Sequence, residues 1–230
     1  MFYSLHTTNI TYYLKRNGIN MDRLKEDSSI SLKDQVKKII RDEIIMNKLK
    51  PGERIVETEV AKRLGISQVP VREALRGLEE EGLIRTVKYK GAFVTEINKT
   101  EMYHIFSLRA SIETEAIEII TPNLTNQKLG ALYDIVEQMK NEKPDYLLQA
   151  KLDMEFHRTI IAWAEIATFD RIWSMLNSHI QRYITILNPE IRILPEEVHT
   201  YHLELVEVLK QKDIQRSKEV FRQHIMKMVL

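Results

Sequence analysis

A chain of 230 residues, 43% hydrophobic and 29% charged, holds enough apolar material for a buried core in one large or two modest domains. It has no cysteine, which excludes a disulfide framework and thiolate metal ligation and fits a reducing cytoplasm, and no apolar run approaches the length of a membrane span. The net charge of +1 is unevenly divided, with 18 Lys+Arg against 13 Asp+Glu in residues 1–95 and 16 against 20 in residues 96–230, the balance of a basic nucleic-acid module joined to an acidic remainder.

Residues 1–30 show no clear period and read as a loosely held tail, in which Met21 is an alternative start to Met1. No basic patch precedes an apolar core there, so no secretory signal is expected. Ser31 or Asp34 caps a first helix whose stripe is Leu32, Val36, Ile39, Ile40 and Ile44, ending near Lys48 before the break Lys50-Pro51-Gly52. Next come two short helices and a tight turn. Val60, Ala61 and Leu64 recur at helical spacing, and Gly65 follows where a left-handed cap is wanted. Ser67 stands at an N-cap position, its side-chain oxygen expected to accept a backbone N–H of the next turn. Pro70 falls in that first turn. Val71, Ala74, Leu75 and Leu78 form the apolar stripe, Gly82 ends the helix, and Gln68, Arg72 and Arg76 share the opposite face. A short helix, a glycine turn and a second helix with an Arg-bearing outer face present a recognition helix to a DNA major groove. Two extended runs, Leu83–Val87 and Ala92–Ile97, follow as a wing, with Lys88, Lys90 and Gly91 in its turn to meet phosphate or a minor groove.

Asn98-Lys99-Thr100-Glu101 has the form of a capping box. Beyond it almost only helical periodicity remains. Six helices are expected, at about 99–121, 126–141, 145–165, 168–187, 195–210 and 213–229. Breaks are expected at Thr121-Pro122-Asn123, Lys143-Pro144, Ile166-Ala167-Thr168, Asn188-Pro189 and Gln211-Lys212-Asp213. The fold class is therefore mainly α: a winged helix-turn-helix over 31–97, then an all-α antiparallel bundle over 98–230.

In the bundle, Asp153 and His157 lie on one helix face at i, i+4. Such a pair alone is more often a surface hydrogen bond than a metal site. His202 and His224 lie in the last two helices, 22 residues apart, and come level if those helices pack antiparallel. Three imidazoles and a carboxylate would then suit a divalent ion such as Zn²⁺ or Ni²⁺. His199, His179, His6 and His104 read as surface or satisfied histidines, and Trp163 and Trp173 as packing anchors.

The run PGERI, a short helix, then GIS-x-x-PVREAL-x-x-LEEEGLI closely resembles the N-terminal winged helix of the GntR family of bacterial transcription regulators. The resemblance implies DNA-contacting roles for Arg54, Ser67, Arg72 and Gly91. Gln68 departs from it, since the family usually has Arg after the cap residue. Asp153-x-x-x-His157, His202 with Leu205, Val206 and Asp213, and His224 resemble the effector domain of the FadR-like branch, as do Arg109 and Glu113 on the first bundle helix. That resemblance implies a metal on the four ligand positions and a small carboxylate effector held with its help, Arg109 being the expected effector contact. Glu165-Ile166-Ala167-Thr168 replaces the branch's usual Ser-Gly-Asn turn and leaves the pocket's shape open.

The expected function is that of a cytoplasmic, homodimeric, ligand-responsive regulator or repressor on a palindromic double-stranded DNA operator, with no membrane association and no enzymatic activity. Two alternatives stand beside it: a regulator that answers to the metal alone, and a metallohydrolase using the same four residues. No separate acid or base, phosphate loop or nucleophile motif supports the latter.

Overall fold

The computed structural model describes residues 30–140, 146–191 and 195–229. The chain divides into two compact units, one formed by the stretch up to Glu43 with Gly52–Thr95, the other by Ile44–Pro51 and the chain from Glu96 onward. The expected tail, the alternative start and the Lys143-Pro144 break fall outside the described residues.

The first unit holds all but the last two residues of α1 (Leu32–Ile45). Of the two expected caps it is Ser31 that serves: its hydroxyl accepts from the Asp34 N–H at 3.2 Å and donates to the Asp34 carboxylate at 2.5 Å. Strand β1 (Arg54–Ile55) precedes α2 (Glu57–Leu64) and α3 (Gln68–Glu80), and β2 (Ile84–Val87) and β3 (Gly91–Val94) form the wing. The sheet is antiparallel in the order β1-β3-β2, with Arg54 opposite Phe93 and Val87 opposite Gly91. The apolar stripes face inward as the periodicity requires: Val36, Ile40, Val71, Ala74, Leu78 and Val94 are all fully buried. At the end of α3, Glu81 takes both Lys37 (2.8 Å) and Arg41 (2.5 Å) of α1. Burial raises the Glu81 carboxyl's pKa, but the two cations more than reverse this and hold it below its usual range.

Three details add to or differ from the sequence reading. β1 is not foreseen by it; two residues carry no period, and only their pairing with β3 makes them a strand. Gly65 does take the left-handed cap at φ 66°, yet Ser67, though extended at the N-cap position, makes no side-chain cap bond. An N-cap oxygen serves the N–H of the second or third helical residue, and the third is Pro70, which has none.

The second unit contains α4 (Lys99–Ile120), a 3₁₀ turn (Thr121–Asn123), α5 (Asn126–Gln138), α6 (Tyr146–Ala162), α7 (Ala167–Ile191), α8 (Pro195–Lys210) and α9 (Ile214–Met226). Asn98 caps α4, its oxygen accepting from the Thr100 and Glu101 N–H groups. α4 runs through the middle of the bundle and packs on α6, α7 and α9. The core around it includes Phe106, Ala110, Ala116, Leu132, Phe156, Ile160 and Phe221. The helix expected to stop before Asn188-Pro189 continues to Ile191, because a proline in the last turn removes a single N–H bond from a helix otherwise held by packing.

Candidate nucleic-acid interface and metal centre

On the first unit, Gln68, Arg72 and Arg76 lie exposed along α3, with Ser67 exposed just before it. Arg72 is held by Glu57 of α2 through Nε (3.1 Å) and Nη2 (3.0 Å), at a side-chain exposure of 60%. An exposed pair of this kind is readily exchanged for another partner. Arg54, on β1, is exposed. Its guanidinium Nε would lie 3.5 Å from a Cβ at Gly91, whose φ is 98°. Glycine at 91 thus serves the left-handed backbone, since a Cβ there would meet Arg54 only at ordinary contact distance. Lys90 is exposed beside it. Sequence reasoning passes over Tyr89, which stands at the wing tip 94% exposed with φ 63°. The Lys88 ammonium lies 5.1 Å from its ring centroid. An aromatic between two lysines in K-Y-K-G is the available signal.

In the second unit the four expected ligands converge. Asp153 and His157 come from α6, His202 from α8 and His224 from α9, and one ligand atom from each lies within 4.8 Å of all the others. His157 and His202 are buried, while Asp153 and His224 are partly exposed. The His202 ring centroid lies 4.8 Å from that of His224 and 5.6 Å from that of His157.

Hydrogen bonds behind the rings decide which nitrogens face inward. His202 Nδ1 donates to the Val198 carbonyl at 2.8 Å, so Nε2 carries a lone pair. That Nε2 faces the Asp153 Oδ1 at 3.2 Å. Two acceptors at this distance make no hydrogen bond, and Nε2 of both His157 and His202 is buried without a partner. Glu113 accepts from His157 Nδ1 at 2.5 Å, which fixes the same tautomer there. Unpaired lone pairs directed at a carboxylate are what a cation satisfies, and these residues fit a divalent ion.

Charge agrees with this. Arg109 is 1% exposed, its Nε bonded to Glu113 at 2.8 Å and its Nη2 to Asp153 at 3.3 Å. It lies under Trp173, 5.5 Å from the ring centroid. Burial opposes charge on Glu113, yet the His157 and Arg109 contacts pull its pKa below the usual range. Burial opposes charge on Asp153 too, but the Arg109 guanidinium above all pulls it well below that range. Burial lowers His157, helped by Arg109 and only partly offset by Glu113 and Asp153. Burial, then the neighbouring His202 and His157, lower His224 well below the ordinary imidazole value. Both shifts favour the neutral ring at His157 and His224. One guanidinium against two carboxylates leaves a single net negative charge, which a divalent ion converts to a single positive one.

A cavity of about 260 Å³ opens on the cluster, lined by Asp153, His202 and His224 together with Gln149, Tyr201 and Lys227. Arg109 is not on its wall; it stands behind Asp153, engaged with both carboxylates. His199 stays outside the cluster, 3.2 Å from Glu137.

Residues 32–94 match the model of the bacterial regulatory proteins of the gntR family, and residues 104–227 match the FCD domain. The chain is similar to the HTH-type regulator YdhC of Bacillus subtilis (27% identity, 90% of this chain and 91% of that one). It is also similar to McbR of Escherichia coli (27%, 85% and 92%). The solved structure of E. coli McbR/YncC superposes with a TM-score of 0.70 at 25% identity, over 86% of this chain and 94% of that one. A GntR regulator from Rhodococcus sp. RHA1 shares the fold (TM-score 0.74, 18% identity, 87% and 96%). Among the described residues no helix is long and apolar enough to cross a membrane. With both domains matched, the chain belongs to the gntR family of bacterial transcription regulators, in its FadR-like branch with an FCD domain, and not to a family of enzymes.

Proposed function

We propose that this regulator works in the cytoplasm as a homodimer on a palindromic operator and senses a small organic acid in the cavity of its bundle. The observation that carries the sensing role is the pair of buried, unpartnered imidazole nitrogens facing a carboxylate on the wall of an open cavity. Asp153, His157, His202 and His224 would hold a divalent ion, Zn²⁺ or Ni²⁺ being the natural candidates for a carboxylate and three imidazoles. Such an ion supplies a positive anchor for a carboxylate. Arg109 supports it from behind by orienting Asp153 and Glu113.

On the DNA side, Arg54, Ser67, Gln68, Arg72, Arg76, Lys90 and Gly91 form the proposed contact set. Ser67 is suited to a phosphate because its hydroxyl is not spent on capping. A coupling of about 1–3 kcal/mol between the sites would shift operator occupancy several-fold.

The test is operator release, measured on the metal-loaded and the chelated protein with and without added carboxylates. Release that requires both metal and carboxylate supports the reading. Release by chelation alone, with no response to any carboxylate, replaces it with a regulator of metal only.

A further inference from the structure

Gln149 lies four residues before Asp153 and eight before His157, so the three share one stripe of α6. Its side chain is 3% exposed. The Nε2 group donates to the Met139 carbonyl at 2.8 Å. A carbonyl oxygen can only accept, so this bond fixes which end of the amide is which. The other end, Oε1, is buried with no hydrogen-bond partner, and the residue itself belongs to the cavity lining. A buried acceptor left unpaired is costly, and in a ligand site that cost is recovered only when the ligand brings a donor.

We infer that Gln149 selects the ligand, and that the cavity takes a small carboxylate bearing a hydroxyl group instead of a plain carboxylic acid. The inference rests on the carboxylate-sensing reading above. Four residues of helix rise by about 6 Å, so the hydroxyl and the carboxylate must be separable along a short chain. The carboxylate belongs at the Asp153, His202 and His224 end; the hydroxyl donates to Gln149 Oε1. An amino group would also offer donors, but the metal-loaded cluster already carries a net positive charge, and on the wall the Lys227 ammonium offsets the Glu197 carboxylate, so a second cation has no unbalanced anion to meet. The Lys227 ammonium lies 3.9 Å from the Tyr201 ring centroid, a cation placed to offset the ligand's carboxylate from the rim. Ile184, Val198 and Met228 supply the apolar lining and suit the carbon chain between the two polar ends.

The test is calorimetric titration of the metal-loaded full chain with 2-, 3- and 4-hydroxybutanoate, 4-aminobutanoate and butanoate, which share a chain length. At least one hydroxybutanoate is expected to bind about tenfold or more tightly than butanoate, the aminobutanoate falling with butanoate. In Gln149→Leu, with metal content and melting temperature checked, that preference is expected to vanish while butanoate still binds. Equal affinity of butanoate and every hydroxybutanoate overturns the inference and leaves the carboxylate sensor standing. A preference for 4-aminobutanoate overturns the hydroxyl assignment alone. Failure of every carboxylate to bind the metal-loaded protein overturns both readings. Should Gln149→Leu not fold, the ranking of the five ligands on the unaltered chain still decides.

Discussion

The outer face of α3 and the cluster between α6, α8 and α9 both rest on four-residue helical spacing, but they use it under opposite conditions. Gln68, Arg72 and Arg76 need only one helix to be aligned, and all three are exposed. Asp153 and His157 are aligned the same way, but His202 and His224 reach them only after two further helices have packed. The exposed face can leave its polar groups to water or to a passing partner such as Glu57. The buried cluster cannot, so its groups are tied to partners behind them: His157 to Glu113, His202 to Val198, and Asp153 to Arg109. A surface site is therefore legible from one residue at a time, whereas a buried site is defined by what stands behind it.

The sharpest way to break that comparison is to remove one ligand. His202→Ala takes away an imidazole whose Nε2 has no other partner, so metal affinity should fall by well over the roughly 10- to 100-fold seen when only a supporting group is lost. The melting temperature should lose its dependence on added metal. His199→Ala, whose lost ring meets Glu137 outside the cluster, should leave metal content unchanged. Elemental analysis of the two proteins side by side is the measurement. Equal metal in both would remove the four-residue assignment.

Second in size is Glu113→Gln, which keeps the shape and removes the charge. His157 Nδ1 would then face an amide able to turn its donor toward the ring, and Arg109 would lose one of its two carboxylates. Metal affinity is expected to fall about 10- to 100-fold with all four ligands still present, read by competition with a chelator of known affinity. Affinity unchanged would mean that the ring orientation is fixed by packing against Phe156 and Phe221 and not by the carboxylate.

These two variants also mark how far the sequence could be read. Helices were legible because their apolar residues recur at the helical period, and α4 to α9 begin and end close to where the periodicity and its breaks place them. Asp153 with His157 was legible because one helix aligns them; His202 with His224 was legible only on the condition that α8 and α9 run antiparallel. Glu113's bond to His157 was not, since nothing in an Arg-x-x-x-Glu spacing says which helix lies opposite. The unpaired oxygen of Gln149 was hidden for the same reason: it depends on Met139 having claimed the other end of the amide. The expected cap at Ser67 is not made, and Pro70 removes one of the two N–H groups that could have served it, the other being that of Val69.

On the exposed side, Arg72→Ala should weaken specific operator binding on the order of 10- to 100-fold, as expected for losing a bidentate contact to a guanine edge. The helix should survive, because its stability rests on Val71, Ala74, Leu75 and Leu78 on the opposite face. Titration of a labelled operator at fixed salt, with circular dichroism as the control for folding, makes the measurement. Operator affinity equal to that of the unaltered chain would remove Arg72 from the recognition surface.

The smallest expected effect concerns Gln68, where the outcome is a change of preference with little change of affinity. Gln68 is the first residue of α3, exposed, and follows a serine whose side chain makes no cap bond. The N-terminal residues of a recognition helix are the ones that reach base edges. A guanidinium at that place would pair with O6 and N7 of guanine, whereas the Gln amide pairs with N7 and N6 of adenine. Selection of binding sites from random DNA should therefore show, at one position of each half-site, adenine or a relaxed preference for the unaltered chain. Gln68→Arg should move that position to guanine and leave the remaining positions alone, since Arg72 and Arg76 lie one and two turns further along the same helix. The added charge should instead steepen the salt dependence of binding slightly if the introduced guanidinium settles on a phosphate. A guanine preference already present in the unaltered chain, and untouched by Gln68→Arg, would show that Gln68 reads no base. The recognition surface would then rest on Arg72 and Arg76, and the departure from the family's usual arginine would carry no specificity.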